Sequence, residues 1–180
     1  PLWKPKPLDR NLPDIYRQEG VHIGDVVLLN KFGGFDFLFK ACHPGDHPFN
    51  ARGVPQGFRQ LLEVDYSDTV ENPEEFKSGS YISTRSCDIS KTMCEGDCCI
   101  MRVPPEVGPG LAFRSSAAQG AFLVLPEGGK QMDHNQLGKF LKYCQESAQY
   151  WYDHFNQQLG RGIPNGGLYL ITGFDKAQAW

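Results

Sequence analysis

Tyr143, Glu146, Tyr150 and His154 follow one another at steps of three, four and four, a spacing that puts all of them on one face of a helix. Such a face is ordinarily turned to water. Two tyrosines beside a carboxylate also suit a site that handles a nucleobase. An aromatic ring stacks on a splayed-out base for about 1–3 kcal/mol, and a carboxylate steadies an oxocarbenium-like sugar while a glycosidic bond breaks. The departing base needs a cation, and Arg161, just past the end of this segment, is the nearest arginine in sequence. Trp151 and Tyr152 fall at the edge of the same segment's apolar stripe, where either could line a pocket.

Two other constellations carry metal-binding residue types. Cys87, Cys94, Cys98 and Cys99 include a Cys-x3-Cys pair at zinc-ligand spacing. No second well-spaced Cys or His pair accompanies it, and the side chains of adjacent Cys98 and Cys99 tend to point apart. Free thiols or a local disulfide are expected there. His43 and His47, with Asp46 between them, lie in a Pro/Gly-rich stretch and read as loop residues. The chain lacks a Gly-x-Ser-x-Gly elbow, a phosphate loop and a dinucleotide fingerprint. The run GRGIPNGG follows a helix, so its glycines read as a helix stop and a turn. No metal and no cofactor are expected.

The elements that must position these groups are legible in outline. From His134 to Lys176 the chain reads as one long amphipathic helix, a turn and a short apolar strand. Leu137, Leu141, Cys144, Ala148, Trp151 and Phe155 recur at alternating steps of four and three, the stripe expected to face the core. Asp133 is the expected N-cap, with Gln136 three residues on, and Gly160 the residue past the helix end. VHIGDVVLLN and GFDFLFKAC form an expected hairpin around Lys31–Gly33, with Phe35, Phe37 and Phe39 on one face and Asp36, Leu38 and Lys40 on the other. FRQLLEVDYSDTV and GSYISTRSCDI are expected strands, and LAFRSS with GAFLVLPEGG a second hairpin. Residues 1–20, with four prolines, read as an extended arm strapped on by Trp3, Leu12 and Ile15. Strands before, between and after one dominant helix predict an α+β fold. A mainly antiparallel sheet packs against that helix, within a single domain spanning 1–180.

Bulk properties narrow the function classes. The 180 residues suffice for one real core. A hydrophobic content of 40% and a charged content of 22% are those of a globular protein. A net charge of −3 counts against nonspecific polyanion binding. No run reaches the roughly 18 apolar residues of a membrane span, and PLWKPKPLDRNLPD lacks the apolar centre of a secretory signal. With Cys144 on the helix stripe as a buried thiol, the setting expected is reducing and cytoplasmic.

Several segments together resemble a family of mushroom (basidiomycete) proteins, most of unknown function. These are IGDVVLLNKFGGFDFLF, HPFNARGVPQGF, QGAFLVLPEGG and, most specifically, WYDHFNQQLGRGIPNGGLYLITGFDKAQAW. They cover much of the chain from about Ile23 to Trp180. The resemblance implies an rRNA N-glycosylase of toxin or defence character, removing one adenine from the sarcin–ricin loop of large-subunit rRNA. Its partner would be the ribosome, with the protein a monomer. Plant ribosome-inactivating toxins carry a Glu-Ala-Ala-Arg pattern on a helix. The nearest match here is Glu146-Ser147-Ala148-Gln149, where glutamine replaces the cation. A different arrangement is therefore needed, with Asp36, Glu127 or Asp175 as further acids and Arg52, Arg114 or Arg161 as cations. The expected catalytic group is Glu146, Tyr152, Arg161, Tyr169 and Asp175, with Tyr150, Lys176 and Arg52 binding substrate. The alternative is a non-catalytic interaction module, or a lectin-like binder using Trp3 or Trp180. A concave, charged, aromatic surface would favour the enzyme, and a flat apolar one the module.

Overall fold

The computed structural model describes residues 12–29, 35–72, 76–83, 89–93, 111–116 and 120–177. Its elements are α1 (Asp14–Glu19), β1 (Asp25–Leu29), β2 (Phe35–Lys40), β3 (Thr69–Glu71), β4 (Ser80–Ser83), β5 (Ile89–Met93), β6 (Leu111–Ser115), β7 (Phe122–Leu125), β8 (Gly129–His134), α2 (Leu137–Asp153), β9 (Leu168–Leu170) and β10 (Gly173–Ala177). The fold is α+β. Strands associate in the orders β2-β1-β9, β10-β8-β3, β4-β7 and β5-β6, and the pairs β1–β2, β1–β9, β4–β7 and β5–β6 are all antiparallel. The chain divides into two compact units, Pro1–Val70 with Asp133–Phe174 and Glu71–Met132 with Asp175–Trp180.

The first unit is built on the β1–β2 pair. Val26 and Val27 of β1 and Phe37, Leu38 and Phe39 of β2 are all buried, so β2 is covered on both faces rather than alternating. The Phe39 ring is the link to α2. It lies edge-on to Trp151 at 5.5 Å and parallel to Phe155 at 6.2 Å, the geometries that aromatic quadrupoles favour. Its burial contributes about 1.5–3 kcal/mol. A second cluster joins Tyr16, Phe37 and Phe49, with Leu12, Ile15 and Phe35 packed on it.

Buried polar groups lock the end of this pair. Asp25 and Lys40 are cross-strand partners, 0% and 6% exposed, with carboxylate and ammonium 3.8 Å apart. Burial pushes the Lys40 ammonium below its ordinary value, against the pull of Asp25. Asn50 then closes the loop that follows β2. Its amide oxygen accepts from the Lys40 N–H at 2.7 Å, and its amide nitrogen donates to the carbonyls of Lys40 and Pro44 at 3.1 and 3.0 Å.

Several expectations change. Residues 14–19 of the arm are helical, because Tyr16 can then reach Phe37, their ring centroids 4.3 Å apart; Trp3 lies outside the described residues. The segment 58–68 is irregular, with a strand only at β3. Strands β6 and β7 do not pair with each other: β6 lies against β5 and β7 against β4. The terminal strand is broken at Ile171–Thr172. Ile171 exchanges hydrogen bonds with Gly24 and Asp25, whereas the Thr172 carbonyl accepts from the His134 N–H at 3.0 Å. The residues of the β1–β2 connection and the cysteines at 87, 94, 98 and 99 lie outside the described residues.

Helix α2 differs most from its reading. Trp151 is buried as expected, and so is Phe155 in a π-turn (His154–Gln158), but the N-terminal half of the buried face is Phe140 and Tyr143, the latter expected on the side turned to water. Leu137 and Leu141, expected in the core, are 56% and 60% exposed, and Cys144 is a half-buried free thiol. Gly160, at φ +62°, ends the helix as expected, with the Arg161 N–H returning to the Phe155 carbonyl at 2.9 Å.

The start of α2 is held from outside. Gln136, not Asp133, is the N-cap, and it forms no side-chain cap. Instead the Asp68 carboxylate accepts from the side-chain amides of Asn135 and Gln136, both at 2.8 Å. Buried His134 accepts the Gln136 N–H on Nδ1 at 3.0 Å, so its Nε2 carries the proton and donates to the Asp65 carbonyl at 2.9 Å. The bonds from Asn135 and Gln136 hold the Asp68 carboxyl below its ordinary 3.8, and the bonds from Ser67 do the same for Asp65. A depressed folded pKa stabilises above the unfolded value, and that stability is lost as pH falls through the folded one. Acid titration is thus expected to weaken the attachment of α2 below about pH 4. Asp68→Asn should flatten that limb of the stability–pH curve; an unchanged acid limb would refute the assignment.

Candidate functional site

A shallow cleft opens between the loop Pro55–Arg59 and one face of α2, lined by Gln56, Phe58, Arg59, Glu146, Tyr150 and Trp151, with Pro55, Gly57 and Ser147 completing it. Pro55 and Gly57 shape the loop: the Phe58 N–H returns to the Pro55 carbonyl at 3.0 Å, and Gly57 sits at φ +75°. Phe58 anchors it from below, its ring edge-on to Phe39 at 5.7 Å. Two bonds tie the loop to the helix. The Tyr143 hydroxyl donates to the Arg59 carbonyl at 2.7 Å, and the Gln158 amide donates to the Gln56 side chain at 3.3 Å.

The two charged side chains of the cleft are unengaged. Among the described residues neither the Glu146 carboxylate nor the Arg59 guanidinium takes part in an ion pair or side-chain hydrogen bond. Tyr150 stands at the rim, 57% exposed, and Trp151 forms a buried wall. The enclosed volume is about 10 Å³, room for roughly one water. The interior has room for a water, and the exposed Tyr150 ring lies beside it.

Tyr143 sets the loop's position from a buried site, where desolvation raises its phenol well above the ordinary value and keeps the hydroxyl protonated as a donor. Tyr143→Phe is expected to cost about 1 kcal/mol and to speed amide exchange in residues 55–59. Unchanged exchange there would show that Phe58 alone holds the loop.

Of the residues selected from sequence, Glu146, Tyr150 and Trp151 meet in this cleft. The others lie elsewhere. Tyr152 turns its hydroxyl to accept the Leu168 N–H at 3.3 Å, buttressing β9. Arg161 is exposed, its guanidinium 5.6 Å from the Phe155 ring centre, a cation–π contact. Tyr169 sits on β9 opposite Val27, and Arg52 in an exposed turn. Asp175 and Lys176 lie on β10, exposed Arg114 on β6 and exposed Glu127 in the turn after β7, all in the second unit; Asp36 lies on β2. The cation of the cleft is Arg59, which sequence reading placed inside a strand. Its only signal was the turn-forming VPQG that ends two residues before it.

The histidine loop has a structural occupation. The rings of His43 and His47 stack at 3.9 Å, and His47 Nδ1 accepts the Phe49 N–H at 3.2 Å, capping a short 3-10 turn at Pro48–Asn50. Burial, His47 and Lys40 together lower the His43 pKa. Among the described residues no group of three or more His, Cys, Asp and Glu side chains is gathered for a metal, and no helix is long and apolar enough to cross a membrane. No family model, no curated protein and no solved structure matches the chain.

Proposed function

We propose that this protein is a cofactor-free N-glycosylase acting on large-subunit rRNA, releasing an adenine from the sarcin–ricin loop as a monomer. The observation that carries the reading is the gathering of Glu146, Arg59 and Tyr150 on one cleft. A carboxylate, a cation and a stacking ring are what N-glycosidic cleavage needs. The resemblance to mushroom proteins supports it, and in size and composition the chain resembles edodin, the shiitake rRNA N-glycosylase.

In this reading the target base stacks on the exposed Tyr150 ring. Arg59 offsets the negative charge that develops on the departing adenine, by its charge and its hydrogen-bonding fork. The Glu146 carboxylate faces the positive charge growing on the ribose, and takes the proton of the water that attacks the sugar carbon. The water-sized interior of the cleft suits that nucleophile. The direct test is to incubate ribosomes with the protein and treat the extracted RNA with aniline. A single released fragment from the large-subunit rRNA is expected; its absence at saturating protein would sink the proposal.

One observation favours a second reading, a non-catalytic interaction module. Leu137 and Leu141 present an apolar edge of α2 to solvent, of the kind that partner helices cover. Intact rRNA after exposure to the protein, with tight binding to a fungal protein that Leu141→Glu abolishes, would favour the module.

A further inference from the structure

Asn165 is the only asparagine in the chain followed by glycine, and its surroundings differ from those of the other described asparagines. Residues Pro164, Asn165 and Gly166 are exposed in the turn between α2 and β9, closed by a bond from the Gly167 N–H to the Pro164 carbonyl at 2.9 Å. Among the described residues the Asn165 side chain has no hydrogen-bond partner and the Gly166 N–H donates to no carbonyl. Gly166 lacks a Cβ to shield its nitrogen, and at φ +79° it lies in a region that glycine enters readily. Elsewhere the amide is held or the next residue is bulky. Asn156 is fixed by reciprocal bonds with Ile163 at 2.6 and 2.9 Å, Asn50 is buried under several bonds, and Asn135 binds Asp68; each precedes Gln or Ala.

We propose that Asn165 is a site of spontaneous, self-catalysed modification, converting to a mixture of aspartate and isoaspartate as the protein ages. The Gly166 amide nitrogen gives up its proton and bonds to the Asn165 side-chain carbonyl carbon. The C–N bond to the side-chain amide breaks and ammonia leaves, closing a five-membered succinimide. Water then opens the ring at either carbonyl. The net change is one water consumed and one ammonia released, with no oxidant or reductant. Opening at one carbonyl restores the normal backbone as aspartate. Opening at the other routes the backbone through the side-chain carbon, lengthening it by a methylene at the turn that Asn156 pins through Ile163. Either product adds a negative charge to the exposed turn between α2 and β9. The isoaspartyl form would also be a substrate for a carboxyl methyltransferase that recognises isoaspartate.

The test is to hold the full chain, folded, in mildly alkaline buffer and map it by peptide mass spectrometry over time. In parallel, the Asn165→Gln variant and the wild-type chain in denaturant are followed. In the folded wild type the expected result is conversion at Asn165 ahead of every other asparagine. It should bring an acidic shift of the isoelectric band, an isoaspartyl product that the methyltransferase labels, and a rate that rises with hydroxide. Asn165→Gln, whose ring closure would form a slower six-membered imide, should keep its band and stay unlabelled. Retention of the Asn165 amide in the folded chain while the denatured chain converts would overturn the proposal, since the turn would then protect the residue. Faster conversion at another asparagine would overturn it equally.

Discussion

Gly24→Ala is expected to lower the stability of the first unit by about 3 kcal/mol or more, from two additive causes. Gly24 sits at φ +87°, where a side chain on an L-residue is strained. A Cβ built there would also lie 1.8 Å from the Cys42 sulfur and 3.1 Å from its Cβ. Cys42 is buried, so its sulfur can yield only by displacing packed neighbours. Nor can Gly24 retreat. Its N–H donates to Ile171 at 2.7 Å and its carbonyl accepts from Ala41 at 2.8 Å, so it ties the starts and ends of three strands together. Against a typical total of about 5–15 kcal/mol, such a loss is severe, roughly 6–12 °C in melting temperature for a chain of this size. Gly53→Ala separates the causes, because Gly53 has φ +91° and nothing within 4 Å; it should lose only the backbone part. Adding Cys42→Ala to Gly24→Ala should recover part of the loss by removing the sulfur. A Gly24→Ala protein that melts with the wild type would disprove the packing described at this junction.

That junction and the helix illustrate what sequence pattern conveys and what it withholds. The β1–β2 pair was legible because its apolar runs are continuous and close together in the chain. In α2, two stripes satisfy the same helical periodicity and converge on buried Trp151: the expected one, which begins at Leu137 and Leu141, and the one through Phe140 and Tyr143. Periodicity cannot rank them. The aromatic stripe is buried because its rings cover more area and meet Phe39, while Ser147 interrupts its apolar pattern and hides it from a hydrophobic count. The segment 58–68 misled in a similar way. Leu61 and Val64 are buried and Leu62 is 74% exposed, an irregular order that alternation misreads as a strand. The nesting of β5–β6 inside β4–β7 depends on pairings that local pattern does not encode. Half of the candidate cleft was visible for the same reason: Glu146 and Tyr150 share a helix face, which spacing reports. Arg59 reaches them from a loop tied to α2 by a hydrogen bond spanning 84 positions, and nothing in the residues around it announces that contact.

If the cleft carries out N-glycosidic cleavage, Glu146→Gln should be its most damaging conservative change. Glutamine keeps the size and the hydrogen-bonding edge of the side chain but has neither the charge that opposes a developing oxocarbenium nor the basicity to take a proton from water. Loss of a positioned acid–base group costs typically 10²–10⁴ in rate, so base release should fall by roughly 10²-fold or more while the melting temperature holds. Stability is insulated because Glu146 is exposed and outside any ion pair among the described residues. Arg59→Gln should also slow release, and Arg59→Lys should restore part of the rate, since a point charge replaces the planar fork. Tyr150→Phe keeps the stacking face and should stay near wild type. Tyr150→Ala should lose about 1–3 kcal/mol of base binding, a factor of about 5–150 in kcat/KM. The order of these effects is the discriminating readout. A protein in which Glu146→Gln releases adenine at the wild-type rate, while Tyr169→Ala or Asp175→Asn does not, would move the chemistry off α2 altogether. That would show the cleft to be an accident of how the Pro55–Arg59 loop rests on the helix.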